Sequence, residues 1–283
     1  MPDASRAKEN IGIIRALSNE TAAFLHSLPD DVWRDPERFA SGCQNWKVSD
    51  VISHLIDHAS RTTLSIERAI RGNSAPLPGY RPLTPEESDE QLIELRTAFD
   101  EDMFPEFNAS CLRLNRLLVG LESDQYDFDA WHVSGVRSVA RLIEYRTLEL
   151  AVHVWDVKYA FDRNASLSPS AIPFLIGWLE QWLRTSFREA DGLDSPVRVR
   201  FSLNTSDSYD LSVESRGFTL ESSTSVDADV TLAVSASDYI LVLMGRLPVR
   251  RSERRGRIQL DGNAEIAYKL AEWFGSVHAS DLA

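Results

Sequence analysis

Two side chains capable of chemistry, Glu149 and His153, stand four residues apart in a strongly apolar segment, residues 146–156. A helix places residues at this separation on one face. Arg146 lies on the same face, so ionisable groups occupy positions where a bundle helix normally buries apolar side chains. A buried charge needs a partner, and a metal ion is one such partner. The spacing makes Glu149 and His153 candidate metal ligands.

A third ligand is offered by His54, which lies on the same side as Val51 and Leu55 in a second amphipathic segment. Two histidines and one glutamate leave coordination positions open for water or substrate, as in catalytic zinc sites. His58, one helical turn further on, is expected to have an outer or surface role. Because this spacing is common in helices, satisfied core or surface residues are the favoured interpretation when the spacing is taken alone.

Composition and charge restrict the class of protein. The 283 residues, 43% of them hydrophobic and 26% charged, predict a globular protein with two domains. A formal net charge of -13 argues against general nucleic-acid binding, which needs a basic face. No apolar run reaches the length of a membrane span, no signal peptide is evident, and there are only two cysteines. We therefore expect a cytoplasmic protein that does not associate with membranes.

The first two thirds of the chain have helical periodicity. A proline-rich loop interrupts the pattern between Asn73 and Pro85, and Pro105 is expected to kink or divide the following helix. The modest connections favour an up-and-down four-helix bundle followed by one extra helix. The first predicted helix ends near residue 28. The next four cover residues 48–71, 85–118, 136–161 and 169–188.

Beyond residue 190 the apolar residues alternate, as they do in half-buried strands. A helix over residues 237–245, a short strand at 258–260 and a last helix over 263–274 follow, with a solvated loop expected for the basic run from Arg246 to Arg257. The fold class is therefore α+β with two domains. Residues 1–190 form the helical bundle, and residues 191–283 form an α+β domain with a mainly antiparallel sheet.

Three passages of the sequence form a recognisable set: residues 43–55 with Cys43, Trp46, Asp50 and His54; residues 146–156 with Arg146, Glu149, His153 and Asp156; and residues 228–262 with Asp238, Gly245 and Arg246. Together these passages span most of the chain, and in content and order they resemble the mycothiol-dependent maleylpyruvate isomerase family. Members of this family join a DinB-like metal-binding helical bundle to a small C-terminal domain related to sterol carrier proteins.

The resemblance implies that His54, Glu149 and His153 hold a divalent metal, usually zinc, with water or the thiol of mycothiol at a remaining position. Zinc lowers the pKa of a bound thiol and so supplies a thiolate at neutral pH. Addition of that thiolate to a small electrophile, followed by bond rotation and elimination, would isomerise maleylpyruvate. If the thioether were kept, the protein would be a mycothiol S-transferase.

Two arginines are candidate catalytic residues. Arg146 could neutralise a substrate carboxylate or pair with Glu149, and Arg246 could reach an anionic substrate across the domain interface. Structural ion pairs are the alternative for both arginines. A further alternative is a non-catalytic ligand-binding protein with a structural metal or none. The sequence leaves open the substrate, the metal, and the oligomeric state.

Overall fold

The structure is a computed structural model that describes residues 4–190 and 192–274, except for the side chains at positions 85, 86, 89 and 101. Contacts divide the chain into two compact units, Met1–Ala171 and Ile172–Ala283. The first unit is largely helical and the second combines helices with a sheet. The predicted fold class is confirmed. The division into compact units falls after Ala171. The domain boundary near residue 190, expected from the sequence, stays a prediction.

Four long helices form the framework of the first unit. Two of them, α1 and α3, each pack against both α5 and α6, so the four close into a ring around an apolar core. The helices of this unit are α1 (Ala4–His26), α2 (Asp31–Arg34), α3 (Val48–Ile70), α4 (Pro85–Phe99), α5 (Met103–Val119) and α6 (Val139–Phe161).

The starts of α3 and α6 are fixed by side chains that accept hydrogen bonds from the backbone. At α3, the Asp50 carboxylate accepts a hydrogen bond from the Lys47 N–H at 2.8 Å. At α6, the Ser138 hydroxyl accepts one from the Arg141 N–H at 3.2 Å. Such caps satisfy amides that have no partner within the helix. Because α6 is buried on nearly every face, its polar side chains must find partners inside the unit.

A short antiparallel hairpin precedes α6. It consists of β1 (Asp129–His132) and β2 (Gly135–Ser138), and Val136 lies opposite Trp131. The prediction that the helix begins at residue 136 is therefore wrong by three residues. Its first residues pair as a strand, which the apolar pattern of so short a segment does not distinguish from a helix.

The predicted third helix is divided, but not at Pro105. The break lies at Asp100, whose backbone adopts a positive φ of 39°, and Pro105 falls in the first turn of α5. A proline in a first turn removes no intrahelical hydrogen bond, so it is tolerated there.

The second unit is built on a five-stranded sheet with the order β5-β4-β3-β6-β7. Among the described strands, only β3 and β6 pair in parallel, so the predicted mainly antiparallel sheet is confirmed. The strands are β3 (Val197–Leu203), β4 (Ser208–Glu214), β5 (Gly217–Ser222), β6 (Val230–Val234) and β7 (Gln259–Gly262).

In the part of this unit that the structure describes, five helices accompany the sheet: α7 (Ile172–Ser186), α8 (Ala236–Leu243), α9 (Val249–Arg254), α10 (Ala264–Tyr268) and α11 (Leu270–Trp273). The predicted solvated loop over residues 246–257 is wrong in part, because it contains α9. The predicted last helix divides at Lys269 into α10 and α11. Among the described helices, none is both long and apolar enough to cross a membrane.

Candidate metal centre

The three predicted ligands meet where α3 packs against α6 in the first unit. Glu149 Oε2 lies 3.0 Å from His54 Nε2 and 3.1 Å from His153 Nε2. The three potential ligand atoms all lie within 4.8 Å of one another. Residues about ninety positions apart in sequence thus converge on one point.

This donor set fits a divalent metal ion. Zinc bonds of about 2.1 Å in a tetrahedral site place neighbouring ligand atoms about 3.4 Å apart. The observed distances of 3.0 and 3.1 Å need only a small expansion to accept the ion. Two imidazoles and a carboxylate are also the donor types that zinc prefers.

Asp156 supports the centre from behind. His153 Nδ1 donates a hydrogen bond to Asp156 Oδ2 at 2.9 Å, which leaves Nε2 directed at Glu149. A hydrogen bond on the far nitrogen fixes the orientation of a metal-binding imidazole. The Asp156 carboxylate is fully buried. From sequence, the spacing of three residues between His153 and Asp156 allowed either an acceptor that orients the histidine or a structural ion-pair partner, with the structural role favoured.

The loop before α3 packs closely against this part of α6. The Gly42 N–H donates to the Asp156 carbonyl at 2.7 Å. A Cβ atom at Gly42 would lie 2.8 Å from the Trp155 ring and 2.9 Å from the Asp156 carboxylate, so only glycine fits without displacement. The loop therefore fixes the position of Asp156.

Trp46 covers the two histidines. Its ring stacks on His153 with 5.6 Å between centroids, and it lies 5.2 Å from the His54 ring in a tilted arrangement. His58 is half-buried, with its ring 6.0 Å from that of His54, and it is not part of the ligand group. Burial lowers the pKa of His58 well below its usual value, so the ring is neutral at physiological pH.

Glu149 is ionised in the metal-free centre. Burial by itself would raise the pKa of Glu149, but hydrogen bonds from His153 and His54 outweigh burial and lower it well below its usual value. Burial lowers the pKa of His54. Burial also opposes protonation of His153, yet hydrogen bonds to Asp156 and Glu149 raise its pKa to about 9. A metal ion must therefore displace a proton from His153.

A second group of potential ligands, Cys43, His153 and Asp156, shares His153 with the first. Cys43 is half-buried. A metal held by this second group would compete with the hydrogen bond between His153 and Asp156. The group of His54, Glu149 and His153 keeps that hydrogen bond, so it is the more consistent donor set.

Arg146 is fully buried beside the centre. Its Nη1 donates to the Leu55 carbonyl at 3.0 Å, and its Nη2 lies 3.6 Å from Cys111 Sγ. Leu55 follows His54, so this hydrogen bond ties α3 to α6 next to the ligands. The structure places Arg146 between helices, and its predicted contact with a substrate carboxylate stays a prediction.

Arg246 lies in the second unit, half-buried in the turn after α8, where its N–H donates to the Leu241 carbonyl at 2.8 Å. Its predicted role towards an anionic substrate stays a prediction.

The fold and the site define a class of protein: a helical bundle with a histidine and glutamate centre, followed by an α+β unit. Residues 14–158 match the family model of the mycothiol maleylpyruvate isomerase N-terminal domain. Residues 181–275 match the SCP-2 sterol transfer family. The first match covers just over half of the chain, so the protein belongs to the mycothiol maleylpyruvate isomerase family. The predicted family resemblance is confirmed.

Solved structures agree with this assignment at the level of fold. A crystal structure of the mycothiol-dependent maleylpyruvate isomerase matches with a TM-score of 0.60 and 15% identity, covering 87% of this chain and 93% of that chain. A crystal structure of a histidine-to-alanine mutant of the mycothiol-dependent maleylpyruvate isomerase matches with a TM-score of 0.61 and 14% identity, covering 92% and 96%. A search among curated proteins finds no significant match.

Proposed function

We propose that this protein is a metal-dependent enzyme that uses mycothiol to isomerise maleylpyruvate or a related small cis-enoyl acid. One observation carries the proposal: His54, Glu149 and His153 converge at hydrogen-bonding distances, with Asp156 orienting His153. Membership of the family and the fold shared with mycothiol-dependent maleylpyruvate isomerases support the choice of thiol and reaction. A cytoplasmic location belongs to the same proposal.

The chain's own residues prepare the centre for a metal. His54 and His153 would bind through Nε2 and Glu149 through its carboxylate, which leaves at least one coordination position outside the protein. Asp156 keeps the proton on His153 Nδ1, so Nε2 is the nitrogen that becomes available. A bound zinc ion would lower the pKa of a thiol and keep it as a thiolate at neutral pH.

Trp46 and Arg146 stabilise this arrangement in different ways. Trp46 packs over both imidazoles and shields that side from water, which strengthens the electrostatic interactions of the centre. Arg146 fixes the backbone of α3 next to His54 by its bond to the Leu55 carbonyl. Preorganised ligands reduce the cost of forming the site.

The test is turnover of maleylpyruvate by the zinc-loaded protein, with and without mycothiol, with products identified by mass spectrometry and NMR. We expect thiol-dependent formation of the trans isomer, which His54→Ala and His153→Ala abolish together with zinc binding. His26→Ala changes a histidine outside the centre and is the matched control.

A stable thioether in place of the trans isomer would replace isomerisation with mycothiol S-transfer. A fully zinc-loaded protein with no thiol-dependent reaction would contradict the proposed enzyme and favour a ligand-binding protein.

A further inference from the structure

A cavity of about 500 Å³ lies in the first unit, bordered by α3, α4 and the loop that joins them, with Trp131 on one side. Asp57 and Arg61 line it from α3, three and seven residues after His54. These separations place both residues on the helix face that carries the metal ligand, with Arg61 about 10 Å further along the axis. The charge of Arg61 also acts on the pKa of His54 and His58. The cavity therefore lies on the face of α3 that carries His54, further along the helix than the metal centre.

One wall of the cavity is aromatic. The rings of Tyr80 and Trp131 meet edge to face with 4.5 Å between centroids. A tight turn presents Tyr80 there: its N–H donates to the Leu77 carbonyl at 3.0 Å, Pro78 occupies the second position, and Gly79 has a φ of 78°. These are the requirements of a type II turn. The proline-rich loop thus has a defined turn that holds the ring of Tyr80 in place.

The side chains that α3 and α4 contribute to the cavity are rich in hydrogen-bond acceptors. Two arginines of the lining are already paired, Arg61 with Asp57 at 2.5 Å and Arg81 with Glu87 at 2.9 Å. Three further side chains of α4 line the cavity and are exposed: Glu90, Gln91 and Glu94. The lining holds four carboxylates against two guanidinium groups, so its net charge is negative.

This combination selects a particular ligand chemistry. An aromatic face packs against the C–H surface of a saturated ring, and carboxylate and amide oxygens accept hydrogen bonds from hydroxyl groups. The net negative charge disfavours an anionic ligand. Ligand pockets of about 300–1,000 Å³ hold molecules up to drug size, so a disaccharide fits. We propose that this cavity binds an uncharged polyhydroxylated ligand of about disaccharide size.

If the proposed function holds, on which this step rests, the ligand is the sugar portion of the thiol cosubstrate. Mycothiol carries its cysteinyl thiol on a glucosaminyl-inositol, which is uncharged once its amine is acylated. With that portion between Tyr80 and Glu94, the thiol can extend along α3 towards His54. The acidic lining would exclude a dicarboxylate such as maleylpyruvate, so the two reactants would not compete for the cavity.

The experiment is calorimetric titration of the zinc-loaded protein with N-acetylglucosaminyl-inositol, which lacks the thiol. We expect saturable binding, weakened at least about tenfold by Tyr80→Ala and by the double change Glu90→Ala with Glu94→Ala. Tyr80→Phe keeps the aromatic ring and should retain binding. Glu106→Ala removes an exposed glutamate of α5 outside the cavity and is the matched control. Zinc content should be unchanged in all variants.

No binding to the zinc-loaded wild type, equal binding by all variants, or tighter binding of maleate at the same site would overturn the cavity assignment. Because the probe has no thiol, the result is independent of turnover. Probe binding without thiol-dependent turnover would remove the proposed function and keep the cavity. Turnover with mycothiol but no binding of the probe would keep the proposed function and remove the cavity assignment.

Discussion

Glu149 in the first unit and Asp210 in the second are both shielded carboxylates, but their partners differ. The side chain of Glu149 is 14% exposed and accepts hydrogen bonds from two histidines. The Asp210 side chain is fully buried and accepts from Arg200 at 2.7 and 2.8 Å and from Arg198 at 3.1 Å. Arg200 lies directly opposite Asp210 across strands β3 and β4.

The different partners of the two carboxylates distinguish a site that can bind a metal ion from one that cannot. Burial would raise the pKa of Asp210, but its arginine partners lower it. Arginine does not lose its proton in proteins and offers no lone pair, so this cluster only holds the sheet together. Histidine can release its proton and then bind a metal through the same nitrogen. The pair of histidines therefore makes Glu149 part of a candidate metal centre.

The largest expected effect is on metal binding by Glu149→Gln. This change keeps the shape of the side chain and removes the anionic donor of the three. We expect the zinc affinity to fall at least about a thousandfold, or roughly 4 kcal/mol. Competition with a chelator measures the dissociation constant. Unchanged zinc affinity would mean that the metal lies elsewhere.

The matched change in the second unit is Asp210→Asn. It leaves two guanidinium groups without their anion, and because these groups are partly exposed we expect a loss near the lower end for such pairs, about 3 kcal/mol in the free energy of unfolding. Denaturant titration measures this loss, and elemental analysis should show unchanged zinc. Loss of zinc in this variant would contradict the purely structural role assigned to Asp210.

A smaller effect is expected from Asp156→Asn. The variant weakens the hydrogen bond that orients His153, so zinc affinity should fall about 10- to 100-fold. In the metal-free protein, the pKa of His153 should also fall from about 9 towards its usual value. NMR titration of the imidazole protons measures this pKa. A purely structural role for Asp156 would leave the pKa of His153 unchanged.

The smallest expected effect is the change in fold stability and in zinc affinity per pH unit. The pKa of His153 is about 9 in the folded, metal-free protein, against 6.5 for an unperturbed histidine, so its protonation stabilises the fold fully below pH 6.5. This contribution is lost as the pH rises to about 9. Zinc affinity should change in the opposite direction, rising about tenfold per pH unit between these values because metal and proton compete.

Other histidines near the centre do not titrate between pH 6.5 and 9, so they do not obscure the titration of His153. The pKa values of His54 and His58 are lowered, and that of His132 is lowered to about 4. Calorimetry in buffers of different ionisation enthalpy counts the protons released when zinc binds. A flat zinc affinity between pH 6.5 and 9 would contradict the state assigned to His153.

The convergence of the three candidate ligands could be predicted from sequence because part of its signal is local. Glu149 and His153 are one helical turn apart, and His54 came from the segment that resembles the family. The helices were predicted well where their apolar periodicity is long, as in α3. The hairpin before α6 was not predicted, since four-residue strands leave too little pattern.

The cavity could not be predicted because it depends on tertiary packing. Trp131 and Tyr80 are separated in sequence by the whole of α4 and α5, and their rings meet just after the loop turns at Gly79. Arg146 illustrates the same limit. Its position on the face of Glu149 was predicted, but its bond to the Leu55 carbonyl depends on how closely α3 and α6 approach.

The most direct test of the central claim is the absorption spectrum of the cobalt-substituted protein as mycothiol is added. Our account predicts one cobalt ion per chain and a thiolate-to-cobalt charge-transfer band in the wild type, with neither present in Glu149→Gln. Full cobalt occupancy without a new band on addition of mycothiol would contradict thiol activation at this centre. Failure of the wild type to bind cobalt or zinc would contradict the centre itself.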